Sequence, residues 1–302
     1  MKAPLVLRTA IGRYDHVQAL RDGSVASERL RLDLVEVEPI TRGFRRMVRE
    51  LAFDLCEIAL ATHAQAHEHA KPITALPIVL ARGFHHAALV CRRDSPLAGP
   101  RDLMGKRVGV RAWSQTTGAW VRGILQSEYG LDPKSVTWVT TEDAHVAEYR
   151  DPPHVVRAAS GETLLALLLA GKIDAAVGLK QADPNDLRTV IPDAALEAER
   201  WYCKTGIYPV NHVIAVRDDL LAAHPWLGRE LMDLFTSAKQ HARAIKATDS
   251  AEDRLIAMVG ADPLPYGMSA NRRSIDMLLS FAAEQGLVAK AYRAADLFAP
   301  GP

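Results

Sequence analysis

The feature that most constrains the fold is an alternation of strand-like and helix-like segments along the chain. Residues 30–37 begin with the alternation of apolar and charged side chains that is typical of a strand. From Thr41 the apolar residues adopt the i, i+3, i+4, i+7 spacing of an amphipathic helix, and residues 53–61 are again strand-like, with Thr62 opening the next helix. Such alternation favours a largely parallel sheet, with a ligand crevice at the carboxyl ends of its strands.

A second segment of the same type begins after the polar stretch 94–96. It predicts a strand at 106–111, a helix that ends at Gly130, and further strand and helix segments up to residue 177. After residue 209 a strand leads into a regular helix, with an apolar stripe running from Leu227 to Ile245. The sequence therefore predicts two α/β units.

Charge and motifs exclude several classes of function. Lys and Arg number 37 against 36 Asp and Glu, so bulk charge gives no basis for binding nucleic acid or an acidic membrane. Neither phosphate-binding glycine motif, G-x-x-x-x-G-K-[ST] or G-x-G-x-x-G, occurs, and neither does G-x-S-x-G or H-E-x-x-H. These absences argue against nucleotide hydrolysis, dinucleotide redox chemistry and the common hydrolases.

Cysteine usage and apolar runs indicate a compartment. The three cysteines include no C-x-x-C pair, which argues against a disulfide framework and favours a reducing environment. No apolar run reaches the length of a membrane span, and the N-terminus lacks the apolar run of a secretory signal. We therefore expect a cytoplasmic protein that does not bind membranes.

The cluster of His63, His67 and His69 has two interpretations. His63 and His67 are four residues apart and could hold a metal on one helical face. A third ligand is not evident, because His69 would lie on a different side of the helix. The preferred interpretation is a solvated helix face without a metal.

Four other residues have the chemistry of a site, although the residues alone leave their roles open. Arg82 offers a bidentate fork for a carboxylate, and His86 beside it could hold a proton; the alternative is a surface loop. Glu57 lies in an apolar segment, where a carboxyl must be paired or neutral, so it is either an acid/base or the structural partner of an arginine. His212, in an apolar strand, is equally ambiguous.

Seven short stretches together resemble the 4,5-dihydroxyphthalate decarboxylase family. They occur in order over residues 10–240, and they are Gly12-Arg13-Tyr14-Asp15-His16 with Leu20-x-Asp22-Gly23, Phe53-Asp54-x-x-Glu57, Ala75-Leu76-Pro77, Arg82-x-Phe84-x-His86, Trp120-x-Arg122-Gly123, Thr205-Gly206-Ile207-x-Pro209 and His224-Pro225-Trp226. The segment around His63 to His69 departs from the family pattern, and so do Asn211 and residues 112–114.

The resemblance implies a two-lobed fold of the type II periplasmic-binding-protein kind. Each lobe would be a mixed, mostly parallel sheet flanked by helices, with the ligand in a cleft between the lobes. The first lobe would comprise residues 1–92 and 213–302, and the second, inserted lobe residues 93–212.

The activity that the resemblance implies is decarboxylation of a hydroxylated aromatic dicarboxylate, without a cofactor, by protonation of the ring carbon that carries the carboxylate. The candidate proton donors are Glu57, His86 and His212. The candidate substrate-binding residues are Arg82 as the main carboxylate clamp, Lys180 or Arg13 as a second cation, Tyr14 and Asp15 for ring hydroxyls, and Thr62, Gln115, Thr116, Thr117 and Thr205. Asp15 accepting a phenolic proton would raise the electron density of the ring.

Two alternatives stay open. The protein could bind or sense a small aromatic or heterocyclic acid without chemistry, and a metal could join Glu57, His86 and His212 if the three converge. The expected partner is a small aromatic carboxylate, and the oligomeric state, including a homo-oligomer, is left open by the sequence.

Overall fold

The structure is a computed structural model that describes residues 3–179, 186–245 and 250–299. The chain divides into two compact units. The first comprises Met1–Arg82, Val210–Ile275 and Tyr292–Pro302, and the second comprises Gly83–Pro209 and Asp276–Ala291.

These boundaries differ from the expected ones. Residues 83–92 belong to the second unit, because the strand at Leu89–Arg92 pairs with two strands of the second sheet. Residues 210–212 belong to the first unit, since they begin a strand of the first sheet. Residues 276–291 also lie in the second unit, where Gln285 accepts a hydrogen bond from Arg122 at 2.7 Å. The periodicity of the sequence did not predict that a helix near the C-terminus would contribute to the second unit.

The strands in the described residues are β1 (Leu5–Ala10), β2 (Leu30–Leu34), β3 (Leu55–Ala59), β4 (Ile73–Arg82), β5 (Leu89–Arg92), β6 (Arg107–Val110), β7 (Thr137–Thr140), β8 (Val155–Arg157), β9 (Ala175–Val177), β10 (Leu187–Thr189) and β11 (Val210–Arg217). The α-helices are α1 (Gln18–Arg21), α2 (Thr41–Glu50), α3 (Leu60–Glu68), α4 (Thr116–Tyr129), α5 (Leu164–Leu169), α6 (Ala194–Thr205), α7 (Asp218–Ala223), α8 (Leu227–Ile245), α9 (Ser250–Val259), α10 (Met268–Glu284) and α11 (Ala294–Leu297).

The first sheet has the order β2-β1-β3-β11-β4. Strands β2, β1 and β3 are parallel, as the alternation predicts, whereas β11 runs antiparallel to both β3 and β4. The carboxyl ends of β1, β3 and β4 and the amino end of β11 therefore meet at one edge of this sheet. This is the edge at which open α/β sheets bind ligands.

The second sheet has the order β10-β5-β9-β6-β7-β8. Strands β9, β6, β7 and β8 are parallel, and β5 is antiparallel to both of its neighbours. Gly130 follows α4 with a φ of 66°, the left-handed conformation that commonly ends a helix, as predicted. Each unit is thus a mixed sheet with helices.

The core of the first unit includes the apolar stripe of α8. Leu227, Leu231 and Phe235 are fully buried against the sheet, as the periodicity predicts. Ile245, which was expected to continue the stripe, is 74% exposed, because it is the last residue of the helix and lies beyond the apolar core. None of the helices in the described ranges has the length and apolar character that a membrane crossing requires.

Candidate active site

The edge of the first sheet where the carboxyl ends of β1, β3 and β4 meet brings a carboxylate and a histidine together. Glu57 lies in the middle of β3, and β3 pairs with β11 so that His212 stands opposite Ala59. The loop that leaves β1 after Ala10 passes beside Glu57, because β1 ends one strand away in the same sheet. Parallel pairing of β1 and β3, together with the antiparallel return of β11, thus positions the site.

Glu57 accepts three short hydrogen bonds. Its Oε1 accepts from the hydroxyl of Tyr14 at 2.7 Å and from Nδ1 of His212 at 2.6 Å, and its Oε2 accepts from the backbone N–H of Gly12 at 2.7 Å. The side chain of Glu57 is fully buried. An ionised carboxylate is only an acceptor, so these donors match its chemistry.

The surroundings of Glu57 favour its ionised form. Burial by itself would raise the pKa of Glu57, but the hydrogen bond and electrostatic interaction with His212, the Tyr14 hydroxyl and the Gly12 N–H together hold that pKa below its ordinary value. Burial, the charge of Glu57 and the hydrogen bond to it raise the pKa of Tyr14 well above its ordinary value. Glu57 is therefore a carboxylate at neutral pH, and Tyr14 keeps its proton.

His212 is the exposed member of this pair. Its side chain is 19% exposed, whereas that of Glu57 is 0% exposed. The rings of His212 and Phe44 of α2 pack edge to face, with centroids 5.0 Å apart. Because Nδ1 bonds to Glu57, the other ring nitrogen, Nε2, points away from the carboxylate. This is the arrangement in which a buried carboxylate fixes the tautomer and orientation of a histidine that exchanges a proton through Nε2.

Gly12 is a site residue that the sequence reasoning missed. A Cβ at this position would lie 2.7 Å from Cε2 of Tyr14 and 3.0 Å from Oε2 of Glu57, so any side chain would displace the tyrosine ring from its place beside the carboxylate. The signal that could have found it is a glycine directly after the first strand and two residues before a tyrosine. Glycine permits the close approach of backbone to carboxylate that its N–H donation requires.

Arg82 lies at the carboxyl end of β4, and its side chain bonds to a residue near the C-terminal end of the first unit's second segment. Its Nη1 donates to Oδ1 of Asn271 at 3.2 Å. Asn271 is 1% exposed, and its amide donates to the carbonyls of Pro265 and Gly267 at 2.8 Å each. A fixed Asn271 therefore limits the directions in which the guanidinium can point.

The other candidates in the first unit lie at the same edge. Asp15 is exposed and begins a turn of 3₁₀ helix at Asp15–Val17. Thr62 is 1% exposed in the first turn of α3, which begins at Leu60 rather than at Thr62. The predicted role of Tyr14 in binding ring hydroxyls meets a competing contact, since its hydroxyl proton is used by Glu57.

His86 belongs to the second unit and has the surroundings of a core histidine. It is 2% exposed, and its ring contacts that of Trp201 edge to face at 5.8 Å. Burial lowers its pKa to about 4, so it is neutral near pH 7. A neutral buried imidazole is a poor proton donor, which argues against His86 among the three candidate donors.

Four of the remaining candidates of the second unit lie at the ends of two helices. Gln115 is the N-cap of α4, with Thr116 and Thr117 as its first residues. The hydroxyl of Thr205 donates to the carbonyl of Trp201 at 2.8 Å and accepts from the N–H of Ile207 at 3.1 Å, so it stabilises the end of α6. Lys180 lies outside the described residues.

The predicted solvated face of α3 is wrong for His63 and confirmed for His67. His63 is fully buried and donates through Nε2 to the carbonyl of Leu297 at 2.9 Å, because α11 and Phe298 directly after it pack against this part of α3. Burial lowers the pKa of His63 to about 4. His67 is exposed and contacts Tyr292. Within the described ranges, no group of three or more His, Cys, Asp or Glu side chains is arranged to hold a metal ion.

The sequence of residues 27–254 matches the family model described as the periplasmic substrate-binding protein of a phosphonate ABC transporter. Among solved structures, the alkanesulfonate-binding protein SsuA of Xanthomonas axonopodis pv. citri, bound to MOPS, aligns over 99% of both chains with a TM-score of 0.61 and 14% identity. The desulfurization enzyme DSZB aligns over 98% of this chain and 96% of that chain, with a TM-score of 0.57 and 16% identity. At these identities the two structures establish the fold alone.

Two relatives share more of the sequence. A 4,5-dihydroxyphthalate decarboxylase of Comamonas testosteroni is 28% identical, over 98% of this chain and 97% of the relative. A 4,5-dihydroxyphthalate decarboxylase of Pseudomonas putida is 30% identical, over 58% of this chain and 70% of the relative. The chain thus has the fold of the phosphonate-type periplasmic substrate-binding proteins, and it belongs to the 4,5-dihydroxyphthalate decarboxylase family.

Proposed function

We propose that the protein is a carboxy-lyase that removes CO2 from a hydroxylated aromatic dicarboxylate such as 4,5-dihydroxyphthalate. The observation that carries the proposal is the 2.6 Å contact between buried Glu57 and partly exposed His212, in a chain whose relatives are named decarboxylases. The substrate is that of the relatives, and the residue roles rest on the geometry of the first unit.

The proposed reaction needs one proton and no redox step. In 4,5-dihydroxyphthalate each carbon that carries a carboxylate lies para to a hydroxyl, which donates electron density when that carbon is protonated. His212 gives its proton to the carbon, and a C–H bond forms. The bond from this carbon to the carboxylate then breaks, its electron pair restores the aromatic ring, and CO2 leaves. Solvent returns the proton to His212, so the net reaction consumes one proton.

Glu57 acts on this step through His212. A carboxylate bonded to Nδ1 of an imidazole holds the ring in one orientation and leaves Nε2 free to face a substrate. General acid catalysis of this kind contributes ~10²–10⁴-fold to rate. Tyr14 and Gly12 fix the carboxylate, and Arg82 is proposed to bind the carboxylate that is retained in the product.

The binding function has one observation in its favour, namely the match to the phosphonate-binding family model. A binder of an anion, however, gains nothing from a buried carboxylate that orients a histidine, since that carboxylate repels the ligand. A solved enzyme on the same fold also shows that the architecture is not restricted to solute delivery.

The test is an assay of purified, chelator-treated protein with 4,5-dihydroxyphthalate, in which chromatography follows the appearance of 3,4-dihydroxybenzoate. We expect turnover in the wild type, and in Arg82→Gln a KM raised by ~10-fold or more, the loss expected for a charge-assisted hydrogen bond. Arg31→Gln is the matched control, because Arg31 is an exposed arginine of β2 in the same unit.

Calorimetric titration of the same compound separates the two functions. Binding without turnover would favour a binding or sensing role and contradict the proposal. Turnover that requires an added metal would refute the cofactor-free mechanism while leaving the carboxy-lyase activity in place.

A further inference from the structure

Arg21 is a nearly buried arginine that points back at the active-site loop. It is the last residue of α1, and its side chain is 10% exposed. Its Nη2 donates to the carbonyl of Ile11 at 2.6 Å and lies 3.4 Å from the carbonyl of Gly12, while its Nη1 pairs with Glu36 at 2.8 Å. The guanidinium thus bonds to the loop that holds Gly12 and Tyr14.

The carbonyl of Ile11 and the N–H of Gly12 belong to the same peptide group. That group is planar, and its two ends are electronically coupled. Arg21 donates to its oxygen at 2.6 Å, and Glu57 accepts from its nitrogen at 2.7 Å. A cation at the carbonyl polarises the amide and strengthens the N–H as a donor, which is the cooperative effect of linked hydrogen bonds.

A continuous chain of hydrogen bonds therefore connects Arg21 to the proposed proton donor. It runs from the guanidinium through the Ile11–Gly12 peptide to Oε2 of Glu57, and from Oε1 of Glu57 to Nδ1 of His212 at 2.6 Å. We propose that Arg21 is a positioning residue, which orients and polarises this peptide so that Glu57 keeps His212 in the geometry required for proton donation. This inference rests on the proposed function.

The contacts of Arg21 explain why an arginine is suited to this position. One terminal nitrogen bonds to the peptide and the other to Glu36, which also pairs with Arg13 at 3.0 Å. A guanidinium presents these donors in a fixed planar fork, whereas a lysine has a single ammonium group. Glu36 thus holds the fork in place from the solvent side, since its side chain is 59% exposed.

A purely structural role for Arg21 predicts different results from a positioning role. A residue that only fastens the loop would lower stability when replaced and leave the His212–Glu57 bond as it is in the folded protein. Replacement of a positioning residue would weaken the His212–Glu57 bond in the folded protein. The experiment must therefore observe the His212 imidazole proton directly, in addition to turnover.

The variants are Arg21→Gln and Arg21→Lys, with Arg31→Gln as a control of equal charge change. The Nδ1 proton of His212 is followed by NMR after labelling histidine with ¹⁵N, and it is identified by its loss in His212→Gln. We expect this signal to lie far downfield in the wild type, to move upfield in Arg21→Gln, to move less in Arg21→Lys and to stay in place in Arg31→Gln.

Turnover of 4,5-dihydroxyphthalate gives the second readout. We expect Arg21→Gln to lower kcat ~10-fold with little change in KM, the loss expected when one charge-assisted hydrogen bond is weakened. We expect Arg21→Lys to recover part of that loss. An unchanged imidazole signal and unchanged kcat in folded Arg21→Gln would overturn the inference.

The two readouts separate the failure of this inference from that of the proposed function. If the wild type does not turn over the substrate, the proposed function fails, and the imidazole signal alone decides the role of Arg21. If Arg21→Gln does not fold, the same shifts are expected at smaller size in Arg21→Lys and in Glu36→Gln, and their absence from both would overturn the inference.

Discussion

At the scale of the residue, the site depends on what surrounds one carboxylate. Glu57 is fully buried, a location that normally favours a neutral carboxyl, yet three donors keep it ionised. Its charge in turn orients His212. The roles of the neighbouring residues can be separated, because each contacts a different atom of this network.

Tyr14→Phe removes one donor to Glu57 and leaves the aromatic ring, which stacks on that of His16 at 5.2 Å. We expect kcat to fall ~10-fold and KM to change little, because the hydroxyl acts on Glu57 and its loss costs about one charge-assisted hydrogen bond. Steady-state kinetics on 4,5-dihydroxyphthalate measures both constants. A rise in KM at constant kcat would instead indicate that Tyr14 binds the substrate hydroxyls.

Glu57→Gln is expected to change the acid sensitivity of the fold. The pKa of Glu57 lies below its ordinary value of 4.5 in the folded protein. Its ionisation therefore contributes stability that is present above about pH 4.5 and is lost as the pH falls through the lowered folded pKa. The wild type should lose stability more steeply below about pH 4.5 than Glu57→Gln, although the variant is ~3 kcal/mol less stable at pH 7 because the pair with His212 is broken.

Urea unfolding at a series of pH values measures this difference. Glu50→Gln is the control, since Glu50 is exposed at the end of α2, and it should follow the wild-type slope. Parallel slopes for the wild type and Glu57→Gln would contradict the ionised state assigned to Glu57.

At the scale of the element, we expect replacement by alanine to have opposite effects on stability at two helical glycines. A Cβ on Gly123 of α4 would lie 2.1 Å from Cδ2 of Phe281 of α10, whereas a Cβ on Gly228 of α8 would make an ordinary contact of 3.5 Å with Leu76. Gly123→Ala should destabilise the protein by ~1–3 kcal/mol through overpacking. Gly228→Ala should be neutral or stabilising, because alanine favours helix over glycine.

Midpoints of urea unfolding of the two variants provide the measurement. A Gly123→Ala variant as stable as the wild type would show that the contact between α4 and α10 in the second unit can relax. The comparison matters for the site candidates at the start of α4, since the position of this helix places Gln115 and the residues after it.

The sequence predicted the helices and strands better than it predicted the burial and the long-range contacts of individual residues. Periodicity located α8 and the strand that became β11, because both signals depend on neighbours along the chain. It could not show that β11 runs antiparallel between β3 and β4, which brings His212 to Glu57. It missed Gly12 and Arg21 for the same reason, since their contacts join residues that are distant along the chain. The burial of His63 depends on a segment more than two hundred residues away, which no local pattern reports.

At the scale of the whole molecule, the family match and the fold leave catalysis and binding as the two classes of function. We propose that Arg82 and the start of α3 in the first unit bind a carboxylate, a role that a binding protein would need as well as an enzyme. The additional group is the Glu57–His212 pair, which we propose supplies a proton. The central claim is therefore that this pair protonates the ring of the substrate.

The most direct test is turnover of 4,5-dihydroxyphthalate in D2O, with the product analysed by NMR and mass spectrometry. We predict 3,4-dihydroxybenzoate that carries one deuteron on the carbon vacated by CO2, with a rate that falls ~10²-fold or more in His212→Gln. His241→Gln, a change in an exposed histidine of α8, should behave as the wild type. Wild-type protein that leaves the substrate intact, or His212→Gln protein that turns it over at the wild-type rate, would contradict the account.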